Sequence, residues 1–322
     1  MTALLDVRNL SVEFSLPRPA PFQPRPVLRA VRGVSFTLMP GRSLGIVGES
    51  GSGKTTTAMA AIRLEEAAGG QVLFQGDDLL TLSPEDMRQR RRDIQLIFQD
   101  PYSSLNPRAR VGDIVREPLD LLQVGTEAER RDTVRELFEK VGLRPDQLSL
   151  FPHQFSGGQR QRISIARALA PGPKLLVCDE PVSALDVAIQ AQILNLLARL
   201  QDEMGLSYLF ISHDLGVVRH VCQDVAVMYL GQIVELASSE AMFAAPQHPY
   251  TQALLAAAPS MTRRKSRGFT RPMKLKGDPP SPINPPTGCA FAERCPKAQS
   301  LCRETAPVLA GDAHQTACHF PG

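Results

Sequence analysis

The chain has 322 residues, with 36 Lys and Arg against 33 Asp and Glu and a formal net charge of +3. That length holds one large core plus an appendage, and so slight a charge implies no nucleic-acid partner. No apolar run reaches the roughly 18 residues of a membrane span, and the start, Met1-Thr-Ala-Leu-Leu-Asp-Val-Arg8, lacks the basic, apolar and cleavage regions of an export signal, so a cytoplasmic protein is expected.

Residues 4–16 alternate as a strand that carries Phe14. Leu16–Pro26 is proline-rich and reads as an exposed extended loop, with Phe22 inside it. Val31–Leu38 resumes a strand and leads to a turn at Pro40-Gly41. The buried strand Ser43–Val47 then enters Gly48-Glu49-Ser50-Gly51-Ser52-Gly53-Lys54-Thr55, which fits the phosphate-binding pattern GxxxxGK plus Ser or Thr at each fixed position. Thr55, Thr56 and the residues to Arg63 read as the helix leaving it. Strand, glycine-rich turn and helix let backbone N–H groups curl around phosphate oxygens, and the helix N-terminus adds partial positive charge. Lys54 is then placed to reach the β- and γ-phosphates, and the Thr55 hydroxyl to ligate Mg²⁺.

Residues 93–99 read as a strand ending at Gln99, and residues 112–150 carry helical periodicity through Ile114, Leu119, Leu122, Val134, Leu137, Phe138 and Val141. Ser156 is the expected N-cap of a helix that opens with Gly157, Gly158 and Gln159 and runs through Ile163, Ile165, Ala166 and Leu169. A Ser-Gly-Gly helix start is a second anion site. Two such starts in one ATPase chain make sense if two chains meet, each giving half of each site. The apolar run Lys174–Cys178 ends in Asp179-Glu180. A buried parallel strand puts both acids at its C-terminal end, Asp179 to hold Mg²⁺ through water and Glu180 to polarise an attacking water. Val187–Leu200 and Leu215–Cys222 read as helices in a resumed strand–helix alternation, so the α/β core is discontinuous in sequence.

After residue 245 the texture changes. His248-Pro249-Tyr250 leads a short helix. Arg263-Arg-Lys-Ser-Arg267, with Arg271, Lys274 and Lys276, reads as a solvated basic linker, and Pro279–Pro286 as extended backbone. Of six cysteines, Cys178 and Cys222 read as core. Cys289, Cys295, Cys302 and Cys318 cluster with spacing C-x5-C-x6-C-x15-C. Disulfides are disfavoured in a reducing cytoplasm, while zinc and an iron–sulfur cluster both accept four thiolates; unmetallated thiols are the alternative.

Taken in order, these motifs resemble those of the ATP-binding-cassette ATPases. Ser156-Gly-Gly-Gln159 is similar to the family signature, with Phe155 where Leu is more usual. Gln99 resembles the Q-loop glutamine, Ser183-Ala-Leu-Asp186 the D-loop that crosses the dimer interface, and His213 in Phe210-Ile-Ser-His213-Asp214 the switch histidine. Phe14 falls where the family stacks an aromatic on adenine, with Phe22 as a rival. The resemblance implies a P-loop NTPase core of the ABC type over residues 1–245, with a helical subdomain at about 100–158 that docks on a membrane partner. It implies that Gln99 senses the γ-phosphate, Mg²⁺ or attacking water, that His213 holds the γ-phosphate, and that Ser156 and Gly158 contact the nucleotide of a partner chain.

The tail resembles the C-terminal extension, here 246–322, of dipeptide and oligopeptide importer ATPases. The matching residues are His248-Pro-Tyr250, the four tail cysteines, Ser103-Ser-Leu-Asn-Pro107 and Phe151-Pro-His-Gln-Phe-Ser156. Within that group the chain is most similar to the second ATPase of a heteromeric pair. The resemblance implies ATP and Mg²⁺ as ligands, a second ABC ATPase bound head to tail, two integral-membrane permease subunits, an indirect link to a substrate-binding protein, and a place on the cytoplasmic face of the inner membrane. It favours a 4Fe–4S cluster over zinc in the tail. Nickel or glutathione import, or a soluble ABC ATPase not linked to transport, are the alternatives.

Overall fold

The computed structural model describes residues 2–18, 20, 24–100, 102, 104–257 and 277–322. Phe22, Ser103 and the whole basic run from Arg263 to Lys276 lie outside the described residues. The chain forms two compact units, one built mainly from 38–43 and 81–211, the other from 3–37, 44–80 and 212–322. The elements in chain order begin with β1 (Leu5–Ser15), β2 (Val27–Leu38), β3 (Ser43–Val47), α1 (Lys54–Ala61), β4 (Gly69–Phe74) and β5 (Asp77–Asp78). Next come α2 (Pro84–Arg90), β6 (Ile94–Ile97), α3 (Val111–Leu121), α4 (Glu127–Lys140), α5 (Gly157–Leu169), β7 (Leu175–Asp179), α6 (Val187–Met204) and β8 (Ser207–Ser212). The chain ends with α7 (Leu215–Val221), β9 (Asp224–Tyr229), β10 (Gln232–Ser238), α8 (Ser239–Ala244), α9 (Pro249–Ala257), α10 (Ser300–Glu304) and β11 (His314–Thr316).

In the unit that contains the C-terminal residues, β2, β1, β4 and β5 form one sheet in that order. The alternation along β1 changes parity: Leu5 and Val7 are buried, then Leu10 and Val12. Asn9, at φ 49°, marks the irregularity between Arg8 and Ser11 in the pairing with β4, and the extra residue turns the second half of the strand back to the core. In the same unit β3 pairs parallel with β9, β9 antiparallel with β10, and β10 antiparallel with β11. The last pairing adds a strand from the tail to the sheet.

The other unit is built on three parallel strands, β6, β7 and β8. Every residue of β7 and of β8 is buried, which explains their continuous apolar reading in sequence. Helices α3, α4 and α5 pack on one another beside them. Sharp N-terminal signals set their limits: Thr126 and Glu129 form a capping box on α4, and Ser156 and Gln159 form one on α5.

Several boundaries differ from the sequence reading. Strand β2 starts at Val27, directly after Pro26, rather than at Val31. The proline-rich loop between β1 and β2 is closed by Leu16 N–H donating to Pro26 O at 2.9 Å. Strand β6 stops at Ile97, so Gln99 lies beyond the strand end. The helical block at 112–150 is broken between α3 and α4, where Gln123 and Gly125 take left-handed φ of 54° and 69°, and it finishes in a 3₁₀ turn at Pro145–Ser149. Cys222 sits just past the end of α7, buried as expected, and Cys178 is buried in β7. Among the described residues no helix is long and apolar enough to cross a membrane.

Candidate functional site

The phosphate-loop residues belong wholly to the unit that carries β3. All five residues of β3 are buried, so the strand delivers the chain rigidly into the loop. Gly53 has φ 98°, and a Cβ there would meet Ala30 O at 2.4 Å, so only glycine fits this turn. Lys54 opens α1 and its side chain folds back into the loop, where Nζ donates to Gly48 O and Glu49 O, both at 2.9 Å. Thr57 Oγ1 donates to Gly53 O at 2.8 Å and braces the first turn. Ser52 is buried, and its hydroxyl has no hydrogen-bond partner. A curled backbone with a buried cation at its centre and an unpartnered buried hydroxyl is a cradle that fits a phosphate. Thr55 is exposed and Thr56 half-buried beside it.

Phe14 lies half-buried near the end of β1, in the same unit. His213 also belongs here, exposed in the short link after β8. Asp214, next to it, caps α7 by accepting from Gly216 N at 2.7 Å and Val217 N at 3.4 Å.

Gln99, Ser156–Gln159, Asp179, Glu180 and Asp186 belong to the other unit. Asp179 ends β7 and is buried. Glu180, the next residue, takes φ 45°, a left-handed conformation that costs a non-glycine residue on the order of 1 kcal/mol or more. Two bonds hold it there. Its N–H donates to Ile211 O at 3.0 Å, and its Oε2 accepts from Gln99 Nε2 at 2.9 Å. The structure therefore brings together two predicted site residues that lie 81 positions apart.

At the start of α5, Ser156 Oγ accepts from Gln159 N at 3.4 Å, and Gln159 Oε1 accepts from Ser156 N at 3.0 Å. Gly158 packs on α6, where a Cβ would meet Ile189 Cγ2 at 2.5 Å. Phe155 is buried, which accounts for a large apolar residue at this position of the motif. Asp186 caps α6 by accepting from Ile189 N at 3.0 Å. Phe98, Tyr102, Leu121 and Val187 in this unit leave large apolar side chains exposed.

Cys289, Cys295, Cys302 and Cys318 are all free thiols. They lie close enough for each of Cys289, Cys295 and Cys318 to be pushed up in pKa by burial first and by the other thiols in part. Even so, among the described residues no three His, Cys, Asp or Glu side chains are placed to hold a metal ion. The expected iron–sulfur or zinc site therefore finds no support among the described residues.

Two contacts to the loop had no signal in the sequence, although Tyr250 stands in the tail motif His248-Pro249-Tyr250. Tyr250 OH accepts the Glu49 N–H at 2.9 Å, and Arg294 donates to both carboxylate oxygens of Glu49 at 2.8 and 3.0 Å. Separations of 201 and 245 residues put both contacts beyond any local pattern.

This architecture is shared with known proteins. The ABC transporter family profile matches residues 31–183, and that of the oligopeptide/dipeptide transporter C-terminal region matches residues 234–302. A solved dimeric ATP-binding cassette in a post-hydrolysis state with ADP and Pi is 27% identical with a TM-score of 0.65, over 73% of this chain and 98% of that one. CbiO1 from Clostridium perfringens, part of an ABC transporter complex, is 26% identical with a TM-score of 0.65, over 75% of this chain and 91% of that one. Fold and phosphate loop together define an α/β ATPase of the ABC class, which binds ATP.

Among curated relatives, the oligopeptide transport ATP-binding protein AppF of Bacillus subtilis is 51% identical over 91% of this chain and 90% of its own length. The oligopeptide transport ATP-binding protein OppF of Salmonella typhimurium is 49% identical over 98% of this chain and 95% of its own. The chain belongs to the ATP-binding proteins of the oligopeptide and dipeptide ABC transporter family.

Proposed function

We propose that this chain hydrolyses MgATP to drive import of dipeptides or oligopeptides through two membrane subunits, from the cytoplasmic face of the membrane. The names of its relatives support the peptide cargo. In this reading residues 1–245 are the nucleotide-binding domain, with a helical subdomain at about 100–158, and residues 246–322 are the transporter-specific extension. The exposed Phe98, Tyr102 and Leu121 fit a docking surface for a permease on that subdomain.

Each residue has a physical task. Loop N–H groups and Lys54 hold the phosphates, and Phe14 stacks on the adenine. Thr55, Asp179 and Gln99 would hold Mg²⁺, which when bound would neutralise charge on the phosphate oxygens. Glu180 takes a proton from the attacking water, and Gln99, already bonded to Glu180, orients that carboxylate and reports whether the γ-phosphate is present. His213 stabilises charge that develops on the transferring group. Ser156, Gly157 and Gly158 serve the nucleotide of a second cassette, and Asp186 lies at the crossing between the two chains. The dimeric state of the solved cassette supports that arrangement.

One observation carries the catalytic part. Glu180 directly follows the buried Asp179, stands in a strained backbone conformation, and is held by Gln99 at 2.9 Å. Glu180→Gln keeps the shape and removes the base. In the assembled transporter it should lower ATP turnover by about 10²–10⁴-fold while MgATP still binds and the closed dimer accumulates. Turnover within a few-fold of the parent would remove Glu180 from its assigned role.

A further inference from the structure

The phosphate loop carries an acid in its second position. Glu49 lies between Gly48 and Ser50, and its backbone carbonyl is one of the two that Lys54 grips. An uncompensated carboxylate here opposes polyphosphate binding. Like charges several ångströms apart near a protein surface repel enough to weaken binding about ten-fold or more.

One residue from near the far end of the chain answers that charge. Arg294 Nη1 donates to Glu49 Oε2 at 2.8 Å and Nη2 to Oε1 at 3.0 Å, a bidentate fork. The Arg294 side chain is 6% exposed and that of Glu49 28%, so the cation is seated inside and the carboxylate faces the loop surface. The guanidinium lies 5.7 Å from the Tyr229 ring centroid, and Nη1 is 3.4 Å from the Tyr229 hydroxyl. Tyr229 packs edge-on to Tyr250 and to Phe291, with centroids at 4.8 and 5.3 Å. Tyr250 completes the grip by accepting the Glu49 N–H. Both the backbone and the side chain of Glu49 are thus held by residues that follow β10 in sequence. All of these residues lie in one compact unit.

We propose that Arg294 is a positioning residue of the nucleotide site: acting through Glu49, it cancels the loop's acidic charge and fixes its first turn, so that the C-terminal extension sets the affinity for ATP. The proposal rests on reading Gly48–Thr55 as the phosphate-binding loop. It assigns the extension a task in nucleotide binding, carried by the segment between Cys289 and Cys295.

The test uses the full-length chain titrated with MgATP by calorimetry, together with Michaelis curves of the assembled transporter. Arg294→Gln removes the charge and keeps a hydrogen-bonding stem. It should raise the Kd for MgATP about ten-fold, raise KM in parallel, and change kcat less than KM. The deficit should shrink as salt is raised, because screening weakens the repulsion from an unpaired Glu49. Adding Glu49→Gln to Arg294→Gln should recover most of the lost affinity, since the repelling charge is then gone. Arg294→Lys should stay closer to the parent than Arg294→Gln. An unchanged Kd in Arg294→Gln, an equal loss in the Lys and Gln variants, or a double variant as weak as the single would each overturn the proposal. Lys54→Ala separates the underlying reading: it should abolish MgATP binding, and retained binding would remove the phosphate-loop assignment itself.

Discussion

The phosphate loop and the C-terminal extension belong to one compact unit, yet they are held in place by opposite means. The loop holds itself. Lys54 bonds to carbonyls five and six residues back, Thr57 to one four residues back, and the glycines let the turn close. Beyond the nine-residue helix α9, the described part of the extension has little local structure, with the five-residue helix α10 and the three-residue strand β11. Long-range polar ties hold it instead. Glu235 on β10 is fully buried and accepts from Gln247 N at 2.7 Å, His248 N at 2.9 Å and the His314 ring at 2.7 Å. That one carboxylate joins the link before α9 to β11, 79 residues downstream. Changes in the loop should therefore act on chemistry more than on stability, and changes at the ties of the extension should do the reverse.

Glu235→Ala is the strongest way to break that contrast. It strands the buried His248 N–H, the part-buried Gln247 N–H and the His314 ring, and each orphaned buried group costs roughly 1–3 kcal/mol. A loss of roughly 3 kcal/mol or more is expected in chemical denaturation, and less for Glu235→Gln, which keeps an acceptor. Thr55→Ala, at an exposed loop position, should shift stability by less than about 0.5 kcal/mol while impairing MgATP hydrolysis. Equal destabilisation by the two alanine variants would dissolve the distinction.

The pH response sharpens it. Burial lowers the His248 pKa from 6.5 to about 4, and its Nδ1 accepts the Tyr250 N–H at 3.1 Å. Below pH 6.5 the unfolded chain gains a proton that the folded chain refuses, until about pH 4. The contribution is thus complete above pH 6.5 and lost as pH falls to about 4, a span worth roughly 3 kcal/mol. His248→Asn offers an acceptor near the same place and cannot be protonated, so its stability should fall less steeply over that interval. Parallel profiles for parent and variant would show that His248 is not the titrating group.

The same contrast decides what could be read from the sequence. The loop was legible because its function sits in eight adjacent residues between a strand and a helix. Asp179 and Glu180 were legible because a continuous buried run followed by two acids marks the C-terminal end of a parallel strand. Gln99 and Glu180 were each identified, but their mutual bond depends on neighbouring parallel strands, and no spacing encodes it. The contacts of Arg294 and Tyr250 with the loop gave no signal, since Tyr250 was legible only as part of the tail motif and Arg294 as a lone arginine, both more than 200 residues downstream. The tail cysteines are a different case: their spacing reads as a metal site, and the described residues lend that reading no support. The bulge at Asn9 hid in the same way, because only the pairing with β4 reveals which half of β1 changes face.

The smallest expected effect tests whether the signature motif belongs to the loop's own site or to another chain's. Ser156 Oγ caps α5, and Ser156 N–H is met in return by Gln159 Oε1. Ser156→Ala removes half of this capping box and should cost about 1 kcal/mol of stability. The 3.4 Å length of the bond lost places the cost toward the lower end of the capping range. If Ser156 serves the nucleotide of a partner cassette, MgATP affinity of the isolated chain should be nearly unchanged. Turnover of the assembled transporter should then fall by more than the small stability loss can explain, because a donor to the γ-phosphate is missing across the dimer. Titration of the isolated variant beside turnover of the complex separates the two. A collapse of affinity in the isolated chain would place Ser156 in the chain's own site, and the shared-site arrangement would fail.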